Sequence, residues 1–274
     1  MKDLLVNLSV GTPSDPAVGF AVSLAEAFGA HVTAAAFAYD PVIAVSVMGG
    51  MPSDFLEAQR EESERAANDA RVAFDKAATQ AGVPFESHVF STGVAGAADQ
   101  FARMARRFDL SIVRQADADA GGPEEIIAES AMFQSGRPVV VVPYIYKGGL
   151  KLDRVMVCWD GGRPAARAIA DAIPLLARAK AVEIVIVSGE EGKQDEVPGA
   201  DMGRHLARHD LNVDVKRIVA KGNVQETLLS YAADSSADMM VMGGYGHSRL
   251  REFILGGVTR GMLSSMTVPC FISH

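Results

Sequence analysis

Gly93 precedes Asp109 by 16 positions (109 − 93), and Gly222 precedes Asp238 by 16 (238 − 222). Each pair encloses a helical pattern and opens an apolar strand, Leu110 to Val113 in one case and Met239 to Met242 in the other. Both halves also finish on an apolar run led by proline, at Pro138 and at Pro269. An internal repeat built from alternating strands and helices leaves few folds open. It implies parallel sheets with right-handed crossovers, made twice. A chain of 274 residues has room for two domains of about 130 residues each. The expected fold is α/β, with two tandem doubly wound, five-stranded parallel sheets. The expected domains are 1–146 and 147–274, joined by a linker at Pro143 to Leu150.

The first half reads as strands at 4–8, 32–37, 85–90, 110–113 and 138–142, with helices at 15–28, 53–81, 95–107 and 123–134. In the long helix, Ala66, Ala70, Phe74 and Ala77 share one side at helical spacing, and the run Glu61 to Arg65 reads as its solvated face. The segment Pro41 to Pro52 is apolar, glycine-rich and bounded by prolines. It reads as a loop folded onto the core, with an apolar flap for a partner as the functional alternative. The second half repeats the order, with strands at 155–159, 183–187, 213–219, 239–242 and 268–272.

A net charge of −8 and a pI near 5.3 give no overall attraction to nucleic acid or to an anionic membrane. Met1-Lys2-Asp3 leads straight into a strand and does not read as a signal peptide, and no apolar run reaches the roughly 18 residues of a membrane span. The expected setting is the cytoplasm. Cys158 and Cys270 fall in core strands with one strand between them, roughly 10 Å apart. A disulfide needs Cα atoms within about 7 Å, so both read as free thiols.

The chemistry concentrates in one stretch. The apolar run Asp238 to Met242 stops at Gly243, and Gly243-x2-Gly246-x9-Gly256 leads into a helix near Gly256 or Gly257. Glycines let backbone approach a ligand, and the free amides of a helix N-terminus favour phosphate. His247, Arg249 and Arg251 add positive charge or a solvated loop.

This strand, glycine spacing and helix resemble the nucleotide-binding motif of the universal stress protein family, in its ATP-binding branch. Gly257 stands where that family has Ser or Thr, and the nearest hydroxyl is Thr259. The resemblance implies that Asp160, directly after the sixth strand, meets the adenosine end of ATP. Gly189, at the end of the next strand, would meet adenine through backbone. Met242, Gly243, Gly246, His247, Gly256, Gly257, Val258 and Thr259 would surround ribose and phosphates, with Mg as an accompanying ion. The resemblance further implies that the last strands of the two halves pair to form a pseudo-dimer inside one chain, and it leaves a homodimer open.

In the first half Arg114 stands opposite Gly243, Asp117 opposite Gly246 and Ser9 opposite Asp160. The segment Gln115 to Glu125 is acidic and two residues shorter than its counterpart. Carboxylates repel a triphosphate, so this half reads as a structural or regulatory partner.

Other chemistry has little support. No Gly-Lys-Ser/Thr closes a Walker loop, and Gly246-His247-Ser248-Arg249-Leu250 misses the nucleophile elbow at its last residue. His205 and His209 sit four apart without a third ligand, so neither a metal site nor a catalytic group is assigned. Trp159 reads as a core strand residue. The expected function is ATP binding in stress response or signalling, through nucleotide-dependent conformation and an unknown protein partner. A nucleotide-free interaction module and a slow ATPase are the alternatives.

Overall fold

In a computed structural model, the chain forms one continuous sheet of ten strands with helices on both faces. The structure describes residues 1–12, 14–41, 53–117, 122–188, 199–220, 222–244 and 258–274. The first half contributes β1 (Asp3–Leu8), α1 (Pro16–Phe28), β2 (His31–Tyr39), α2 (Ser53–Ala81), β3 (Phe85–Thr92), α3 (Val94–Ala105), β4 (Leu110–Arg114), α4 (Glu124–Gln134) and β5 (Val139–Val142). The second contributes β6 (Arg154–Cys158), α5 (Arg163–Leu176), β7 (Ala181–Ser188), α6 (Ala200–Ala207), β8 (Val213–Val219), α7 (Val224–Asp234), β9 (Met239–Gly243), α8 (Val258–Ser265) and β10 (Cys270–Ser273).

The strand order is β3-β2-β1-β4-β5-β10-β9-β6-β7-β8. Every neighbouring pair is parallel except β5 and β10 at the centre. There Val141 faces Cys270, Val140 faces Phe271 and Val139 faces Ile272. The expected pairing of last strands is therefore present, and it fuses two five-stranded sets into one sheet. β10 begins at Cys270 rather than Val268, since Pro269 has no amide to offer a ladder. Closing the seam hides two strand edges that would otherwise invite foreign strands.

The repeated aspartates have a structural task. Asp109 Oδ2 accepts from Lys2 N at 2.6 Å, and Asp238 Oδ2 accepts from Arg154 N at 2.9 Å. Their own amides donate to Asp3 O and Arg154 O, both at 2.9 Å. Each aspartate thus fastens the start of the neighbouring first strand of its half, which explains the equal spacing. The central strands bury both faces: Val140, Val142 and Phe271 point to one core, Val139, Val141 and Ile272 to the other. Such strands read as unbroken apolar runs.

Several expectations shift. In α2 Phe74 is fully buried as expected, with Ala67 and Ala78 buried beside it, while Ala66, Ala70 and Ala77 are partly covered and Ala70 and Ala77 pack against the same core, so the core-facing stripe is wider than expected. The linker is docked rather than free. Tyr146 Oη donates to Gly149 O at 3.0 Å, and Leu150 N donates to Ser23 Oγ of α1 at 3.0 Å. Trp159 lies just past β6, partly buried against the core, and His209 lies beyond the end of α6, its ring edge-on to His205 at 4.9 Å. The flap at 42–52 lies outside the described residues. Among the described residues no helix is long and apolar enough to cross a membrane.

Candidate functional site

The order of strands reverses twice, between β1 and β4 and between β6 and β9. Open α/β sheets bind ligands beyond the carboxyl ends of the strands at such points, because the loops diverge there and leave a crevice. At the second reversal β6 and β9 run in register, with Val157 against Val241. Two residues further on stands Gly243, and three beyond Val157 stands Asp160.

Gly243 is glycine for a steric reason. A Cβ there would lie 2.4 Å from Ala165 N and 2.6 Å from Pro164 C, both backbone atoms of α5's first turn. The end of β9 and the start of α5 therefore touch backbone to backbone. That start has Gly162 as its N-cap, a residue with no side chain to cap the first-turn amides. The first-turn N–H groups of a helix lack internal partners and carry the positive end of its dipole. Asp160 is exposed, and its Oδ1 accepts from Gly162 N at 2.7 Å. The carboxylate thus holds the turn that leads into α5.

The other expected site residues divide. Met242 buries its side chain in the core and has only backbone to offer. Val258, half-buried, opens α8, and Thr259 is 3% exposed. Gly189, Gly246, His247, Gly256 and Gly257 lie outside the described residues.

The first reversal is built differently. Arg114 ends β4 where Gly243 ends β9, both on the fifth residue of the strand. It is buried, with its Nη1 3.8 Å from Glu124 Oε1. Asp15 closes the turn after β1: its carboxylate accepts from Ser9 N at 2.8 Å and from Ala17 N at 2.9 Å. The amide of α1 that would face a ligand is already occupied. Burial pushes the Asp15 carboxyl up to about 6, against the lowering effect of those two amides and of Arg114. Burial, and then the Glu124 charge, raise the Tyr39 hydroxyl as well. Asp15, Glu124 and the buried Arg114 contact escaped the sequence reading. The Asp15-Pro16 pair, a helix-start signature, was the available sign of a capping carboxylate.

The sequence pattern of the universal stress protein family matches residues 151–274. This half of the chain is a universal stress protein domain. A universal stress protein of Synechocystis sp. is 29% identical over 87 residues, which is 31% of this chain and 30% of the relative. One from Methanocaldococcus jannaschii is 30% identical over 63 residues, 23% of this chain and 39% of the relative. The chain thus spans well under half the length of these curated relatives. A crystal structure of a universal stress protein from Archaeoglobus fulgidus superposes with a TM-score of 0.67 at 16% identity, covering 99% of this chain and 95% of the other. A protein from Pseudomonas aeruginosa superposes at 0.58 and 13% identity, covering 99% and 92%. At such identities the likeness establishes the fold, and it extends the universal stress protein architecture over both halves.

Proposed function

We propose that the universal stress protein domain at 147–274 binds an adenine nucleotide, ATP with Mg, at the reversal between β6 and β9. The half at 1–146 serves as its built-in structural partner in a pseudo-dimer. One observation carries the reading: Asp160, the uncapped first turn of α5 and Gly243 converge at the carboxyl edge of the sheet. Asp160 would receive the ribose or base. The backbone around Gly243, Gly246, Gly256, Gly257, Val258 and Thr259 would receive the phosphates, since a helix N-terminus favours anions. Nucleotide bound there would bias the surface offered to a protein partner in stress signalling in the cytoplasm. The first half supports this division of labour, because Asp15 already accepts from the Ser9 and Ala17 amides and Arg114 stands where the second half has Gly243.

Equilibrium binding of labelled ATP to the full chain tests the reading. Saturable binding weakened about tenfold by Asp160→Ala is expected, a loss of about 1.4 kcal/mol. No saturation at millimolar ATP, or equal affinity in the variant, overturns it.

A further inference from the structure

A cavity lies at the seam between the halves, and Asp160 is not among its lining residues. Its volume is about 410 Å³, within the range of small-molecule sites. Arg114, Glu124, Ala128 and Val141 of the first half form one wall, and Arg260 and Leu263 of α8 face them.

The charges in this wall are balanced and incompletely matched. Arg114 and Glu124 have side chains 10% and 6% exposed, and they meet only at 3.8 Å. Among the described residues, Arg114 Nε and Glu124 Oε2 have no hydrogen-bond partner. Buried polar atoms are nearly always paired, and a buried charge without its full set of partners is costly. Arg260 and Glu125 form a second, exposed pair, also at 3.8 Å. Two cations and two anions exclude a strongly charged guest. Phosphate would meet Glu124 and Glu125 in the first turn of α4, and a polyamine would meet Arg114 and Arg260. Between the charges the lining is mostly aliphatic, Ala116, Ala128, Val141 and Leu263, with Gln115 and Ser264 as its uncharged polar members.

We propose that this seam cavity binds the zwitterion of an apolar α-amino acid. Its carboxylate pairs with the Arg114 guanidinium, and its ammonium pairs with Glu124. Its side chain lies against Ala128, Val141 and Leu263. A guest of zero net charge keeps the wall neutral and covers aliphatic surface. Because α8 and α4 come from different halves, occupancy would brace the seam. The proposal does not rest on nucleotide binding at Asp160.

Titration calorimetry of the full chain with L-leucine, L-valine and L-phenylalanine is the test. Leucinamide, spermidine and inorganic phosphate serve as comparison probes. Saturable binding of at least one of the three amino acids is expected, with leucinamide weaker by about tenfold or more. Ala128→Phe should abolish binding by filling the cavity. Arg260→Glu, on an exposed side chain that folding tolerates, should weaken it several-fold and gives the readout should Ala128→Phe fail to fold. Absence of binding by all three amino acids overturns the proposal. So does unchanged affinity in Arg260→Glu or in a folded Ala128→Phe, or competition by phosphate or spermidine. ATP binding measured on the same variants keeps the two sites apart, since Ala128→Phe should leave it intact.

Discussion

Gln115 Nε2 donates to Leu263 O at 2.8 Å, joining the end of β4 in the first half to α8 in the second. Gln115 is 2% exposed, and its Oε1 accepts from Tyr144 N at 3.3 Å. The counterpart across the pseudo-twofold relation is Gly244, one residue past β9, against Met132 of α4. One crossing is a buried amide bridge. The other is close packing, since a Cβ on Gly244 would lie 2.7 Å from Met132 Sδ. The two halves are thus pinned at both sides of the central strands, by different chemistry. Gln115→Ala leaves the Leu263 carbonyl and the Tyr144 amide without their side-chain partner. A loss of about 1–3 kcal/mol in urea unfolding is expected. A variant within error of wild type would show that the bridge contributes nothing to the seam.

Gly243→Ala should be far more disruptive than an ordinary glycine replacement. The added carbon meets backbone of Pro164 and Ala165, which cannot rotate away as a side chain would. Overpacking of this kind costs about 1–3 kcal/mol and moves α5 away from β9. Thermal melting should report the destabilisation, and ATP affinity should fall along with it. A variant that melts like wild type would mean that β9 and α5 are not held in this contact.

The repeat, the alternation of elements and the pairing of last strands were legible because apolar runs and proline positions report burial directly. Val139–Val142 has no polar residue to signal an exposed face, and such a strand belongs in the middle of a sheet. The helix face of α2 was less legible. Alanine is abundant around that helix, and when small apolar residues occupy adjacent positions such as Ala66 and Ala67 periodicity cannot select between them. For the site, Gly243 and Asp160 could be placed because strand ends and glycine breaks are local signals. The contact of Gly243 with Pro164 and Ala165 could not, since it joins residues nearly eighty positions apart. The Arg114–Glu124 pairing was hidden for a different reason: its partners are close in sequence, but an acidic stretch reads as repulsive until the fold turns it back on the arginine that precedes it.

The two cysteines should be chemically silent in the folded chain. Burial pushes the Cys158 thiol up to about 12, with the Asp160 charge adding to it, and it raises Cys270 well above its ordinary value. Thiolate is the reactive form, and at neutral pH almost none is present. Ellman's reagent should therefore label native protein slowly and reach both cysteines only after denaturation. Cys158, part-buried at the end of β6, should react before Cys270. Rapid stoichiometric labelling at pH 7 would contradict the packing of β6 and β10.

Asp15 should give the chain a measurable dependence on pH. Its carboxyl is raised from 3.8 to about 6 in the folded state, by burial first. Below about pH 3.8 it is protonated whether the chain is folded or not, and its contribution to stability is fully present. Between there and about pH 6 the folded chain keeps a proton that the unfolded chain has released, so stability falls as pH rises. Above about pH 6 the contribution is gone. The full shift corresponds to at most about 3 kcal/mol, and to less in practice because Asp15 is partly exposed and screened. Asp15→Asn keeps one acceptor oxygen for Ser9 N or Ala17 N and cannot titrate. Urea unfolding of both proteins from pH 4 to pH 7.5 isolates the effect. Wild type should lose stability relative to Asp15→Asn as pH climbs from 4 to 6, and the difference should level off beyond. A difference that is flat, or that grows in favour of wild type, would mean that Asp15 ionises freely and that the first half's ligand seat is more open than its two amide bonds suggest.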